Sequence, residues 1–500
     1  MYTPAFEQFE KLAQNALVVP VYRQLLADTL TPVSAFLRFG GRDDCFLFES
    51  VTGGEKIGRY SLLGFAPSAV FECTDGMVQH EHDQKVDKYP CDDPLGDLER
   101  LLFRAKPVAV PGLPEQETSF TGGAVGYFAY DIIRYVESLP NQPAQSLGLP
   151  DLSVMLFDTV VVFDHVYQTI KVVSNARLEG RSPREAYAEA VADIDLVVRK
   201  LRSPLSAVND DITTSGAEEV AFESNFKKED YLRSVERCKE YIAAGDVFQV
   251  VLSQRLHTRT TANPFDIYRA LRAINPSPYM FYMQLGSLKL IGASPEVMCK
   301  VQDGVMTVRP IAGTRRRGAT DEQDAALAEE LIRDPKERAE HIMLVDLGRN
   351  DVGRVCEYNT VKLDETMKIE RFSHVMHITS NVSGRLQAGK TCFDALRSAI
   401  PAGTLSGAPK VRAMQIIDEL EPDARGPYGG AIGYITPSGN MNTGIIIRTL
   451  VLVGEDAYVQ AGGGIVADSV PEAEHQETLN KARSVLRAIS IAETQMHRRA

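Results

Sequence analysis

Four short runs follow one another closely: Tyr279-Met280-Phe281-Tyr282-Met283-Gln284, Leu288-Lys289-Leu290-Ile291-Gly292, Val297-Met298-Cys299-Lys300-Val301 and Val305-Met306-Thr307-Val308-Arg309-Pro310. All are rich in aromatic, β-branched or long apolar residues, and short turns such as Asp303-Gly304 join them, which predicts an antiparallel meander. A second meander is expected over 431–436, 443–453 and 457–461, turning at Pro437-Ser438-Gly439-Asn440 and Gly454-Glu455-Asp456. Upstream, 155–163 and 167–174 flank an Asp164-His165 turn and read as a hairpin. Between such runs lie amphipathic helices. Over 227–244, Tyr231, Val235, Cys238 and Ile242 recur at helical spacing before Gly245-Asp246 stops the helix, and a strand is expected at 247–256. Hairpins interrupted by long helices predict an α+β fold of large antiparallel sheets packed with helices, not an alternating βαβ array. No repeat of 20 to 50 residues is apparent.

The 500 residues are 44% hydrophobic and 24% charged, an ordinary globular composition that argues against disorder. Against 54 basic residues stand 67 acidic ones, so neither nucleic acid nor an anionic membrane is an attractive partner. Seven cysteines are scattered singly, with no Cys-x-x-Cys and no histidine cluster at metal-ligand spacing, which argues against disulfides and zinc. Glu7 and Glu10 stand where a signal peptide would be basic and then apolar, and no long apolar run exists, so a cytoplasmic location is expected. There are 18 Tyr and 20 Phe but no Trp. A Ser-, Asn-, Asp- and Gly-rich stretch at 203–224 divides the chain into lobes 1–202 and 225–500.

Two helices are expected to begin at Asp334-Pro335 and Val470-Pro471, and each carries Glu-x-x-Glu. Glu337 with Glu340, and Glu474 with Glu477, share a helix face, with Lys481 one turn beyond Glu477. Such pairs suit Mg²⁺, a hard cation, if the helices meet; otherwise they form a solvated face. Gly462-Gly463-Gly464, placed between the last strand and the second of these helices, would let backbone amides approach an anion or simply make a tight turn. Arg448 stands inside the apolar run Ile445-Ile446-Ile447-Arg448-Thr449-Leu450, either gripping a carboxylate or closing an internal salt bridge. Glu296 follows Gly292-Ala293-Ser294-Pro295, where apolar walls would suit a general acid. His374 and His377 flank Val375-Met376 with no fixed partner that would make a triad.

Several of these segments together resemble the chorismate-utilising enzymes. They are Gly292 to Glu296, Arg309-Pro310-Ile311-Ala312-Gly313-Thr314, Glu340 to Asp351, Pro401 to Lys410, and Ala461 through Glu477 to Lys481. Phe48-Glu49-Ser50 and Gly58 to Gly64 are similar to the N-terminal lobe of that family's anthranilate-forming large subunits. The resemblance implies that Glu340 and Glu477 hold Mg²⁺, supported by Glu337 and Glu474, and that the metal binds the ring carboxylate of chorismate. It implies that Tyr428, Arg448 and backbone near Gly462 and Gly464 grip the enolpyruvyl carboxylate. Gly313, Thr314, Thr404 and Lys481 would line the same pocket. Glu296 would protonate the departing 4-hydroxyl, and His377 would act near the pyruvate-eliminating step.

Water-adding members carry a lysine base where this chain has Gln249, which cannot serve as one, and aminodeoxychorismate synthases typically have Lys where this chain has Ala312. The remaining nucleophile is ammonia, with anthranilate as product. No Gly-x-Cys-x-Gly elbow surrounds any cysteine, so a separate glutamine amidotransferase subunit is expected to supply it. The resemblance also implies feedback inhibition by tryptophan at Glu49, Ser50, Pro278, Tyr279, Met280 and Tyr434, and hence a regulatory role for the first lobe. Competing readings are an aminodeoxychorismate synthase, a non-catalytic chorismate or tryptophan sensor, and a metal-dependent hydrolase.

Overall fold

The computed structural model describes residues 1–40, 44–50, 59–113, 120–205, 211–213, 220–372 and 375–496. The first half begins with α1 (Phe6–Ala13), β1 (Val18–Leu26), α2 (Pro32–Phe39), β2 (Cys45–Glu49), β3 (Tyr60–Phe65) and β4 (Ala69–Thr74). It continues with β5 (Met77–His82), β6 (Lys85–Pro90), α3 (Pro94–Phe103), β7 (Gly123–Phe128), β8 (Leu152–Phe157), β9 (Thr159–Asp164), β10 (Thr169–Arg177) and α4 (Pro183–Leu201). The second half opens with β11 (Glu223–Ser224), α5 (Lys228–Ala243), β12 (Gln249–Arg259), α6 (Pro264–Ile274), β13 (Tyr279–Leu285), β14 (Leu288–Ser294), β15 (Val297–Gln302), β16 (Val305–Val308) and β17 (Ile311–Arg316). Then come α7 (Asp321–Arg333), α8 (Pro335–Gly353), β18 (Lys362–Arg371), β19 (Val375–Arg385), α9 (Cys392–Ala399), β20 (Gly407–Ala408) and α10 (Lys410–Leu420). The chain closes with β21 (Ala431–Ile435), β22 (Met441–Ile445), β23 (Thr449–Val453), β24 (Asp456–Ile465) and α11 (Pro471–Thr494).

The strands form two antiparallel sheets of 12 strands each. The first runs β1-β10-β9-β3-β2-β13-β14-β23-β24-β12-β11, with β20 against β12; the second runs β17-β19-β16-β15-β22-β21-β7-β8-β4-β5-β6, with β18 against β19. Helices α2, α4, α6 and α11 pack on the first sheet, and α7, α8 and α9 on the second. Both sheets take strands from both sides of the 203–224 stretch, meeting at the β2–β13 and β7–β21 seams.

Both expected meanders prove to be pairs of strands in different sheets. β13 and β14 belong to the first sheet and β15 and β16 to the second, the chain crossing at Pro295 and Glu296. The run 443–453 likewise breaks into β22 and β23, and 155–163 into β8 and β9. A period-2 pattern is blind to which sheet a strand joins, so these breaks look continuous in sequence. Their local causes are visible in the backbone. Pro295 has no N–H for the ladder, and Arg448 adopts the left-handed conformation, with φ of 52°; the corresponding β3–β4 crossing has Pro67 and Ala66, with φ of 54°.

The strand orders are palindromic about the two seams: β2, β3, β9, β10 and β1 answer β13, β14, β23, β24 and β12, while β7, β8, β4 and β5 answer β21, β22, β15 and β16. The two halves are therefore copies of one topology about a pseudo-twofold axis. Sequence agrees once it is known where to look: Gly122-Gly123-Ala124-Val125-Gly126-Tyr127 matches Gly429-Gly430-Ala431-Ile432-Gly433-Tyr434, and Gly64 through Pro67 matches Gly292 through Pro295. Packing agrees too. A Cβ on Gly64 would lie 2.3 Å from the Phe46 ring, and one on Gly292 would lie 2.1 Å from the Phe281 ring. The repeat spans nearly half the chain, well beyond a search for periods of 20 to 50 residues.

Candidate active site

Glu296 and Arg448 both lie where the second half crosses between sheets. The Ile445 amide donates to the Glu296 carbonyl at 2.9 Å, and the Ala293 amide donates to the Arg448 carbonyl at 3.2 Å. The Glu296 carboxyl is buried, and burial pushes its pKa up to about 8, against the opposing effects of a Thr404 hydroxyl donating at 3.0 Å and the Lys481 charge. It is thus a neutral acid at pH 7, with a proton to give. The Arg448 guanidinium has no ion pair or hydrogen bond among the described residues; burial lowers its pKa, against the charges of Tyr428 and Glu477. Of its two sequence readings, the internal salt bridge does not form; an unpaired, largely desolvated guanidinium is an anion site.

The two Glu-x-x-Glu helices bring their carboxylates within electrostatic reach of one another. Burial and the charges of Glu337 and Glu477 raise the pKa of Glu340, and burial with Glu477 raises that of Glu474. Each outer carboxylate has its own partner: Arg315 donates to Glu337 at 2.9 Å, and the Ser469 hydroxyl donates to Glu474 at 2.6 Å. Glu340 and Glu477 are left facing one another across the helices, Glu477 also pairing with Lys481 at 2.8 Å. Carboxylates such as Glu340 and Glu474, raised first by burial and then by neighbouring like charge, form an all-oxygen donor set that a hard divalent cation relieves.

The three glycines are not in a turn. They belong to β24, with Gly462, Gly463 and Gly464 opposite Ser253, Leu252 and Val251 of β12. What they supply is room. A Cβ on Gly462 would stand 2.9 Å from the Tyr428 hydroxyl, one on Gly463 2.9 Å from the Glu474 carboxylate, and one on Gly464 2.5 Å from Gln249 Nε2. Lys481 donates to the Gly462 carbonyl at 2.8 Å, tying α11 to this strand. Gln249 hydrogen-bonds to Glu340, and its Oε1 is buried without a partner.

His377 owes its orientation to a bulge. The β17–β19 register slips between Ala312 and Thr314, where Gly313 takes a φ of 68°, and this presents the Gly313 carbonyl to His377 Nδ1 at 2.9 Å. A carbonyl only accepts, so Nδ1 carries the proton and Nε2 keeps its lone pair. The Thr314 hydroxyl lies 3.1 Å from the same Nδ1, and burial lowers the ring's pKa. His374 lies outside the described residues.

A cavity of about 360 Å³ lies between the sheets, lined by Ser50, Pro278, Tyr279, Met280, Tyr434, Arg309 and Glu370, among others. Among the described residues, three buried polar atoms on its lining lack partners: Ser50 Oγ, Arg309 Nε and Glu370 Oε2. Arg309 and Glu370 pair with each other at 3.1 Å. Glu49 lines the cavity too, but its carboxylate is engaged by α6, accepting from the Tyr268 hydroxyl at 2.5 Å and from Arg272 at 3.0 and 3.2 Å.

Sequence reading passed over Arg425. Buried, it pairs with Glu421 at 2.6 Å and stacks over Tyr130 and Tyr428 at 4.7 and 5.6 Å, bracing Tyr428 from behind. Glu421 and Arg425 are four apart, the one local hint of the pair. The pairing of Arg309 with Glu370 is equally silent in sequence, the two being 61 residues apart.

A family profile described as chorismate binding enzyme matches residues 43–487. The anthranilate synthase component 1 of Acetivibrio thermocellus is 48% identical, covering 98% of this chain and 99% of its own. That of Pseudomonas aeruginosa is also 48% identical, covering 97% and 99%. Among solved structures, anthranilate synthase component I from Streptococcus pneumoniae superposes with a TM-score of 0.76 at 37% identity over 92% of this chain and 99% of that one. MenF, the menaquinone-specific isochorismate synthase of Escherichia coli, shares the fold, with a TM-score of 0.69 at 20% identity over 97% and 99%.

Proposed function

This chain belongs to the chorismate-binding enzymes, and from that membership and the site's geometry we propose that it converts chorismate and ammonia to anthranilate and pyruvate, opening tryptophan biosynthesis. The observation that carries the chemistry is the pairing of a protonated Glu296 with an unpaired Arg448 on one sheet crossing. Arg448, with Tyr428 beside it, holds the enolpyruvyl carboxylate. Glu340 and Glu477 hold Mg²⁺, with Glu337 and Glu474 supporting them; bound there, the ion supplies positive charge for the substrate's ring carboxylate.

Ammonia adds at C2 as the C4–O bond breaks, and Glu296 gives its proton to the leaving hydroxyl, releasing water. Gln249 has no basic nitrogen, so it activates no water; its free Oε1 accepts an N–H of the incoming ammonia. In the second half-reaction the C2 proton is lost, the ring aromatises and the C–O bond to the enolpyruvyl group breaks; the departing enolate of pyruvate takes a proton from solvent at its methylene carbon, and Glu296 is reprotonated from solvent. The free Nε2 of His377 receives the C2 proton. Loss of the extra ammonium proton precedes it, to solvent.

Ammonia reaches the site from a separate glutamine amidotransferase subunit, since no cysteine elbow exists in this chain. The inter-sheet cavity takes the end product, tryptophan. Pro278, Tyr279, Met280 and Tyr434 give a flat apolar slot, and the unpartnered Ser50, Arg309 and Glu370 atoms suit the two charged ends of an amino acid. Glu49 contributes by pinning β2 to α6. No helix among the described residues is long and apolar enough to cross a membrane, and we place the enzyme in the cytoplasm.

The purified chain, given chorismate, Mg²⁺ and ammonium, is expected to release fluorescent anthranilate, and to use glutamine only when its partner is added. Product formation independent of ammonium contradicts the reading. So does glutamine use by the chain alone.

A further inference from the structure

The hairpin β5–β6, at the edge of the second sheet, gathers a second set of metal-ligating side chains, remote in sequence from the carboxylates of α8 and α11. Val78, His80 and His82 alternate onto one face of β5, and Val78 is buried in the core beneath. The two-residue turn Asp83-Gln84, with φ of 46° and 62°, has the left-handed geometry of a tight hairpin and sets the register. That register puts Asp87 of β6 directly opposite His80. One ligand atom from each of His80, His82 and Asp87 lies within 4.8 Å of the other two.

His80 is held between the Phe71 ring, 6.0 Å away on β4, and the His82 ring, stacked at 4.4 Å. Its Nε2 is buried and has no hydrogen-bond partner among the described residues. His82 Nε2 stands 2.9 Å from the Asp87 carboxylate, and its Nδ1 is 3.6 Å from Asp83. An imidazole with a buried, unpartnered nitrogen, stacked on a second imidazole and opposite a carboxylate, has a lone pair to offer an electrophile.

We propose that His80, His82 and Asp87 bind a borderline divalent transition metal of the Zn²⁺, Ni²⁺ or Cu²⁺ class, at a site separate from the active centre. Two imidazoles and one carboxylate favour these ions over Mg²⁺, which seeks oxygen. With metal–ligand bonds of about 2.0–2.1 Å, tetrahedral ligand atoms stand ~3.4 Å apart, a closure that side-chain rotation on fixed strands provides. Asp83 orients the His82 ring from the turn, as outer carboxylates do at metal sites. The exposed Lys85, opposite His82 on the same face, stands next to the site and tempers its negative charge. A bound ion would staple an edge hairpin that has no further strand to pair with among the described residues.

The reduced full-length protein, in excess Mg²⁺ to fill the carboxylate centre, is titrated calorimetrically with Zn²⁺, and separately with Co²⁺ read by its visible absorption. One Mg²⁺-insensitive equivalent per chain is expected. His82→Ala and His80→Gln should each weaken it by about tenfold or more, and Asp87→Asn by less, all with unchanged circular dichroism and ammonium-dependent activity. Absence of Mg²⁺-insensitive binding in the parent overturns the proposal. Equal binding by parent, His82→Ala and Asp87→Asn does so too, because it puts the ion elsewhere.

Discussion

The two sheet crossings related by the pseudo-twofold axis have the same backbone plan and opposite electrostatics. Gly64 lies opposite Val160 as Gly292 lies opposite Thr449, so Ser68 stands where the second half has Glu296, and Thr159 where it has Arg448. Carrying the register on through β9–β10 and β23–β24 puts Asn175, Ala176 and Arg177 in the places of Gly462, Gly463 and Gly464. Those side chains close the first-half crossing. Asn175 donates to the Thr121 and Asp158 carbonyls at 2.7 and 3.2 Å, and Arg177 clamps the Asp158 carboxylate at 2.9 and 3.0 Å. In the second half the same positions are bare, the arginine is unpaired and the acid keeps its proton. One architecture therefore serves as a satisfied scaffold on one side and, on the other, as a site whose unmet charges are left for a ligand.

The largest test of this contrast is Glu296→Gln, which removes the proton donor and keeps the shape. Turnover is expected to fall by about 10²–10⁴-fold while chorismate binding persists; Ser68→Ala, its counterpart, should leave turnover unchanged. The parent's kcat should also decline as pH rises past about 8, because Glu296 acts when protonated and loses its proton above its raised pKa. Glu296→Gln should lack that limb.

Writing a side chain into the bare strand comes next. Gly464→Ala puts a Cβ 2.5 Å from Gln249 Nε2 and displaces it from Glu340, so activity with ammonium should drop by about a hundredfold with little change in Tm. Arg448→Ala, which loses a charge-assisted grip worth about 1.5–3 kcal/mol, should lower kcat/KM by roughly 10- to 100-fold, seen mainly in KM for chorismate.

These cases show what was legible in sequence. The acid, the arginine, the helix carboxylates and the α+β class each rest on local pattern: a motif, a lone charge in an apolar run, a Pro-started helix. The sheet crossings did not show, because alternation continues through a strand that changes sheets. Of the two readings of the glycines, close approach of backbone to an anion or a tight turn, the turn does not form, and each glycine clears a side chain brought from far along the chain. The direction of Glu49 hinges on α6, some 220 residues away, and no local signal carries it.

The smaller effects refine the comparison. Ser50→Phe fills the inter-sheet slot and should raise the tryptophan concentration for half-inhibition by about tenfold, or 1.4 kcal/mol, with activity in its absence nearly unchanged. Arg177→Gly, which gives the first half the second half's bareness, breaks a partly exposed ion pair and should cost below about 1 kcal/mol by urea unfolding, without touching turnover.

The most direct measurement is single-turnover chorismate consumption with Mg²⁺ and ammonium, comparing the parent, Glu296→Gln and Ser68→Ala. The account predicts anthranilate at parental rate from Ser68→Ala and a loss of at least about a hundredfold in Glu296→Gln. Parental turnover by Glu296→Gln, or an equal loss in both variants, would contradict it.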